Sequence, residues 1–358
     1  MALPDTSNFL VSEAHLLLDE ARKEKSERIK DLGEPIRLQG KAIDIVIQGG
    51  IAWIAESTAT VKKIDLETGK SLQVYRGHTA PVTTLTFCDA VPGCGDRKIL
   101  VTGSWDKTIK LWDTESRRLI SSTDAHQDFV KVLYVFPTVG LLISGSSDKT
   151  VRFWDVSQPS ERRLLPSLGS ISSHSRPVEC IQGNVTTNGT IILYTGDTMG
   201  VIKVWELSRE SGSNPRWKAS LKQHLDYHRT RINDIHYGNG QLWTASADET
   251  VQVSIDPDLT TEPKIKLPRP IIHPKQVRCI LPIGLTDVSE PYLITGSDGT
   301  IRVYDLSTFD QPEMIQLVLP TQEIKATPVV EESPAPTQSQ NFELTEDEER
   351  ELAELLDD

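Results

Sequence analysis

Two stretches of the 358-residue chain nearly duplicate one another: Leu100 to Asp113 reads LVTGSWDKTIKLWD, and Leu142 to Asp155 reads LISGSSDKTVRFWD. Duplication this close means that the chain is built from copies of one supersecondary unit. With the last Asp of each copy as a marker, equivalent positions fall at Asp65, Asp113, Asp155, Glu206, Ile255 and Asp305, with separations of 48, 42, 51, 49 and 50 residues. Each copy after the first starts with a histidine-bearing turn and a short apolar strand: GHTAPVTTL from Gly77, HQDFVKVL from His126, HSRPVECI from His174, HRTRINDI from His228 and HPKQVRCI from His273. The first copy is eroded, with Gly40 where Gly77 would be and no histidine beside it. Between these landmarks, short runs rich in Ile, Leu, Val and Thr are broken by Gly, Asp and Ser turns, the pattern of an all-β chain.

The wording of these copies resembles the WD-repeat family of β-propellers. That resemblance implies one four-stranded blade per copy around a central axis, serving as a docking platform and not as a catalyst. It also implies a buried hydrogen-bond set that joins a His, a Ser or Thr, an Asp and a Trp within a blade. The second copy supplies His78, Thr102, Asp106 and Trp112, and the third supplies His126, Ser144, Asp148 and Trp154. The fourth keeps His174, Thr195 and Trp205 but has Met199 at the Asp position. The fifth keeps Thr244 and Asp248 but has Ser254 for the Trp, and the sixth is one residue shorter, with Thr295, Asp298 and Tyr304. Six copies are recognisable, whereas seven is the family's commonest number. Six blades is therefore the reading, with seven blades, or an open ring that borrows a blade from a partner, left open. Pro35 to Leu38 aligns with the strand before each histidine turn, and is expected to form the outermost strand of the last blade and close the ring.

Charge divides the chain. The net charge is −13, but residues 331–358 hold eleven acidic residues against Arg350, giving −10 there and −3 for the rest. This balance disfavours nucleic acid as the main partner. The four cysteines, Cys88, Cys94, Cys180 and Cys279, show no paired spacing and read as buried small apolar residues. The N-terminus has no charged start followed by an apolar core and cleavage site, and no apolar run approaches the roughly 18 residues that span a bilayer. The expectation is a cytoplasmic and/or nuclear protein without membrane contact.

Four regions are expected: an N-terminal amphipathic helical extension over 1–34, the propeller over 35–320, a disordered linker over 321–340, and an acidic, partly helical tail over 341–358. In the first, Leu10, Ala14, Leu17, Leu18 and Ala21 recur at helical spacing, with Asp5 or Ser12 as caps. The predicted helix over 11–31 either packs on the side or underside of the propeller or docks a partner helix. In the tail, Thr345 and Glu348 make a capping box, while Phe342, Leu344, Leu352, Leu355 and Leu356 lie among carboxylates. Such a segment is either a short linear motif that folds on a basic, apolar groove or a solubilising tail.

By the family analogy, the turn between second and third strands shares one rim with the start of each first strand. Trp105 and Phe129 are expected to be exposed there, near one another. Arg176, Arg229, Arg231 and Lys275 hold equivalent places in other copies, with Lys131 and Arg278 one step further in. A basic rim with two aromatics suits an acidic, partly apolar peptide from another protein, and the chain's own tail meets that description, which suggests intramolecular masking. No GxSxG, HExxH or GxxxxGK[ST] is present. His15, His224 and His236 fall outside the histidine turns, and no catalytic residue, metal or cofactor is expected. The reading is a non-enzymatic protein-protein interaction scaffold or adaptor subunit of a multiprotein complex. The alternative is an acidic-tailed chaperone or assembly factor for a basic client such as a histone or ribosomal protein.

Overall fold

Every repeat folds into one four-stranded antiparallel sheet in the computed structural model, and each sheet takes its strands from consecutive segments of the chain. Residues 36–318 are described, apart from 89–97, 158–163, 187, 211–215, 256–268, 287, 298–299 and 308–312. The N-terminal extension, the linker and the tail thus lie outside the described residues, as do Cys94 and Asp298.

The first blade comprises β1 (Ala42–Gln48), β2 (Ile51–Glu56), β3 (Thr60–Asp65) and β4 (Ser71–Arg76). The second comprises β5 (Val82–Phe87), β6 (Ile99–Ser104), β7 (Thr108–Asp113) and β8 (Leu119–Asp124), and the third β9 (Val130–Phe136), β10 (Leu141–Ser146), β11 (Val151–Asp155) and β12 (Ser167–Ile171). In the fourth are β13 (Val178–Val185), β14 (Ile191–Asp197), β15 (Ile202–Arg209) and β16 (Trp217–Leu225). The fifth holds β17 (Ile232–Gly238), β18 (Gln241–Ser246), β19 (Thr250–Ile255) and β20 (Ile271–Ile272), and the sixth β21 (Val277–Pro282), β22 (Tyr292–Ser297), β23 (Thr300–Asp305) and β24 (Glu313–Val318). Copy and blade therefore coincide, and six blades account for the described residues.

The core lies between sheets and not within them. Ile99, Val101, Ile109 and Leu111 of the second blade pack on Val130, Leu133, Leu142 and Trp154 of the third. Each later junction repeats the arrangement up to the fifth and sixth blades. Sheets stacked face to face bury both surfaces, which is why β6, β10 and β14 are buried along their whole length and read as near-continuous apolar text. A register irregularity near the start of every first strand gives each blade the same local bend.

Polar latches link neighbouring first strands. The Leu85 amide donates to Asp44 Oδ2 at 2.8 Å, the Leu133 amide to Thr84 Oγ1 at 3.3 Å, and the Ile280 amide to Asp234 Oδ2 at 2.9 Å. Burial raises the Asp44 carboxyl above its ordinary value, with Asp234 adding to the effect against the pull of the Leu85 amide.

Two expectations need correction. The outermost strand of the last blade is β24, paired along β23 from Ile301 opposite Val318 to Asp305 opposite Glu313. That position is thus filled by the chain that follows β23. Ile36 and Leu38 instead lie outside any strand, against Ala52, Ile54 and Ile64 of the first blade. The cysteine reading holds for Cys88 and Cys180 but fails for Cys279, which is exposed. Cys180 is covered by Ile232 of the following blade, whereas no described blade follows the sixth.

Candidate functional site

The turns between second and third strands are shaped by their aspartates. Asp106, Asp148 and Asp248 each accept the amide of the residue two places on, from Thr108, Thr150 and Thr250. The residue between adopts left-handed backbone, with φ of 68°, 67° and 68° at Lys107, Lys149 and Glu249. The other carboxylate oxygen points to the histidine of the same blade.

In the second blade His78 Nδ1 lies 2.7 Å from Asp106 Oδ2 and Nε2 lies 2.8 Å from Thr102 Oγ1, to which Trp112 Nε1 donates at 2.9 Å. The third blade repeats this with His126, Asp148, Ser144 and Trp154, at 2.8, 2.7 and 2.9 Å. One donor order satisfies every member: indole to hydroxyl, hydroxyl to Nε2, and Nδ1–H to carboxylate. Burial alone would raise the Asp106 carboxyl, but hydrogen bonds from His78, Thr108 and Thr79 outweigh it and bring it down to about 2. The same balance holds Asp148 well below the ordinary range.

Where the sequence departs from the pattern, the fold finds other partners. The fourth blade was expected to lack its acid, with Met199 in the Asp position. Its carboxylate comes instead from Asp197 at the end of β14, 3.1 Å from His174 Nδ1, while Thr195 accepts from Trp205 at 2.9 Å. The left-handed turn residue there is Gly200, φ +84°, where a Cβ would stand 2.6 Å from the His228 carbonyl oxygen. In the fifth blade His228 keeps Asp248 at 3.1 Å and Thr244 at 2.8 Å without a tryptophan. Burial lowers the His228 imidazole despite the attraction of Asp248. In the sixth, His273 Nδ1 lies 3.0 Å from the Lys275 carbonyl and Nε2 3.1 Å from Thr295. Burial and the nearby Arg302 cation both lower the His273 imidazole from its ordinary value. The first blade replaces the set with a buried ion pair, Lys62 Nζ to Glu56 Oε1 at 2.9 Å.

These histidines are braces between strands, which leaves the rim as the candidate site. Trp105 and Phe129 do meet, with stacked rings 4.6 Å apart at 11°. They are not exposed as expected, since each is only 3% accessible. The ring of each is covered by the other across the junction of the second and third blades, and Trp105 Nε1 has no hydrogen-bond partner among the described residues. Lys131 Nζ stands 5.8 Å over the Trp105 ring and 3.9 Å from Glu179 Oε1 of the fourth blade. This carboxylate was missed in the sequence, although Glu179 occupies in HSRPVECI the place that Lys131 holds in HQDFVKVL.

The remaining cations do not converge on that pair. Arg176 and Lys275 are exposed two residues after the histidines of the fourth and sixth blades, Arg229 is exposed one residue after that of the fifth, and Arg231 and Arg278 are half-buried. Arg231 Nε donates to Asn233 Oδ1 at 3.0 Å. Of the leftover histidines, His236 Nε2 lies 3.4 Å from Asp234 and His224 is exposed on β16, while His15 is outside the described residues. Among the described residues no three metal-ligating side chains cluster, and no helix is long and apolar enough to cross a membrane.

Residues 69–113, 117–155 and 271–305 match the family model described as WD domain, G-beta repeat. The chain is 32% identical over 264 residues to an uncharacterized WD repeat-containing protein of Schizosaccharomyces pombe, covering 70% of this chain and 67% of that protein. It is 25% identical over 214 residues to pre-mRNA-processing factor 19 homolog 2 of Arabidopsis thaliana, 59% of this chain but 35% of the plant protein. A shorter match, 41% identical over 61 residues, is to COMPASS component SWD3 of Saccharomyces cerevisiae and spans 16% of this chain and 17% of that one.

Proposed function

The chain belongs to the WD-repeat family of β-propellers, and on that premise we propose that it is a non-catalytic interaction subunit of a multiprotein complex in the cytoplasm and/or nucleus. The observation that carries this reading is a division of labour. The buried imidazoles and carboxylates are tied to one another as braces, whereas Arg176, Arg229 and Lys275 stand exposed in the histidine turns that begin three successive blades. An exposed cation in the histidine turn of each of three consecutive blades makes a surface stripe, and such a stripe recruits an acidic partner by long-range attraction. Two of the relatives are named as a pre-mRNA-processing factor and a COMPASS component, which accords with work inside assemblies.

The partner proposed is an acidic, partly apolar peptide, and the chain's own residues 341–358 are one such peptide. Trp105 and Phe129 contribute by shaping the rim from beneath, not by direct contact. To test this, protein truncated after residue 330 is titrated with a synthetic peptide of residues 341–358 at low and high salt. Binding that weakens with salt and is lost in Arg176→Glu, Arg229→Glu, Lys275→Glu protein is the expected result. Equal binding to the charge-reversed protein removes the rim from the proposal. The concentration of −10 in residues 331–358 favours one second reading, an assembly factor whose tail shields a basic client. That reading requires histone or ribosomal protein to bind the full chain and not the truncated one.

A further inference from the structure

The seam between the sixth and first blades leaves exposed positions that the other junctions bury in whole or in part. In the second blade Thr84, Val101 and Ile109 face the third blade and are buried, and in the fourth Cys180, Tyr194 and Ile202 do the same. By register their sixth-blade counterparts are Cys279, Ile294 and Ile301. Cys279 and Ile301 are exposed and Ile294 is half-buried, while Leu281 on the same side of β21 is 43% accessible. Across the seam, Ile45 and Ile47 hold the places at which Leu85 and Phe87 are buried against the first blade, yet they are 50% and 63% accessible. No packing between the sixth and first blades matches that of the five consecutive junctions among the described residues. Two apolar sheet faces therefore look into one gap.

Of the two described chain ends, the N-terminal one is packed on this gap. Ile36 and Leu38 cover Ala52, Ile54 and Ile64. By register these residues correspond to Leu100, Thr102 and Trp112, which face the preceding blade. Residues 1–35 join directly at that point, and they include the stripe of Leu10, Ala14, Leu17, Leu18 and Ala21 at helical spacing. A helix over 11–31 would be about 31 Å long and roughly 10–12 Å across with its side chains. Stacked sheets stand about 10 Å apart, so one such helix fills the layer that a further blade would occupy.

We propose that residues 11–31 lie in the seam as a helix, with Leu17 and Leu18 against Ile45, Ile47, Leu281 and Ile301, and that this segment completes the ring in place of a seventh blade. The proposal stands apart from the rim reading. A second copy of the chain and a β-element from a partner are the competing occupants.

Cys279 sits in the seam and reports on what covers it. Native full-length protein is treated with a maleimide, and labelling at Cys279 is followed by mass spectrometry beside a Leu17→Glu, Leu18→Glu variant whose fold is checked by circular dichroism. Labelling is expected to be slow in the native chain and at least tenfold faster in the variant, with both monomeric by light scattering. A Leu17→Ala, Leu18→Ala variant gives a smaller acceleration and serves if the charged variant does not fold. Equal rates in all three proteins overturn the proposal, as does rapid labelling of the native chain. Protection that rises with protein concentration together with a dimeric mass overturns it in favour of a second copy.

Discussion

Asp197 Oδ2 lies 3.1 Å from His174 Nδ1 although Asp197 stands two residues ahead of the place, Met199, that aligns with Asp106. Its Oδ1 also accepts the amides of Met199 and Val201 at 2.9 and 3.2 Å. The brace depends on a carboxylate at one point in space, and a strand end reaches that point as well as a turn does. Asp197→Ala is expected to lower stability by about 1.5–3 kcal/mol, the range for hydrogen bonds to a charged group. Met199→Ala, at an exposed position, is expected to stay within about 0.5 kcal/mol. Urea unfolding of the two variants makes the comparison.

The aspartate braces set a sign for acid stability. The Asp106 carboxyl is held at about 2 against an ordinary 3.8. As pH falls through that window the unfolded chain takes up the proton first, so stability is lost. His228 and His273 are lowered from 6.5, and they draw stability down from about pH 6.5 by the same logic. His236 works in the opposite direction, because its bond to Asp234 outweighs burial and raises it. The Asp106→Asn variant should therefore differ most from the native chain at pH 7, and the gap should narrow below pH 3.8. Unfolding free energies at pH 7, 4 and 3 check this, and a constant gap would contradict the assignment.

Glu56 and Lys62 form a buried pair with no histidine nearby in sequence. Glu56→Gln leaves the ammonium without a counter-charge, and a loss of about 3–5 kcal/mol is expected. Replacing both by methionine should restore most of that stability, since a well-packed apolar pair avoids the desolvation of two ions. Thermal unfolding of the single and double variants distinguishes the outcomes.

Trp105 carries a buried indole N–H with no hydrogen-bond partner among the described residues, a state that costs about 1–3 kcal/mol. Trp105→Phe keeps the stack on Phe129 and removes that donor, and it should be neutral within about 1 kcal/mol or slightly stabilising. Trp105→Ala opens a cavity at the junction and should cost about 3–5 kcal/mol. Any loss of partners in the alanine variant but not the phenylalanine variant then reports on the fold of the rim. Paired measurements of stability and capture from native extract separate the two effects.

The blades themselves were legible because their determinants are local. The Thr102 hydroxyl and the Trp112 indole are brought together by the β6–β7 hairpin register, in which Thr102 pairs with Lys110 and Leu100 with Trp112. A second copy of the same words folds the same way at Ser144 and Trp154. Strand alternation and the Asp-Lys turn likewise depend only on near neighbours. The exposure of Trp105 and Phe129, the role of Asp197, the Glu56–Lys62 pair and the placing of β24 on the last blade were not legible.

The sequence by itself thus determined the six copies that become blades and the residues that brace the second and third, since hydrogen-bond register within a hairpin is set by the residues it contains. Only the tertiary structure decided which surfaces are covered. Burial of Trp105 requires Phe129 from the next blade, burial of Cys180 requires Ile232, and Cys279 is open because no described blade follows it. Coverage is a property of neighbours brought together by stacking, and spacing along one chain does not encode the distance between two sheets.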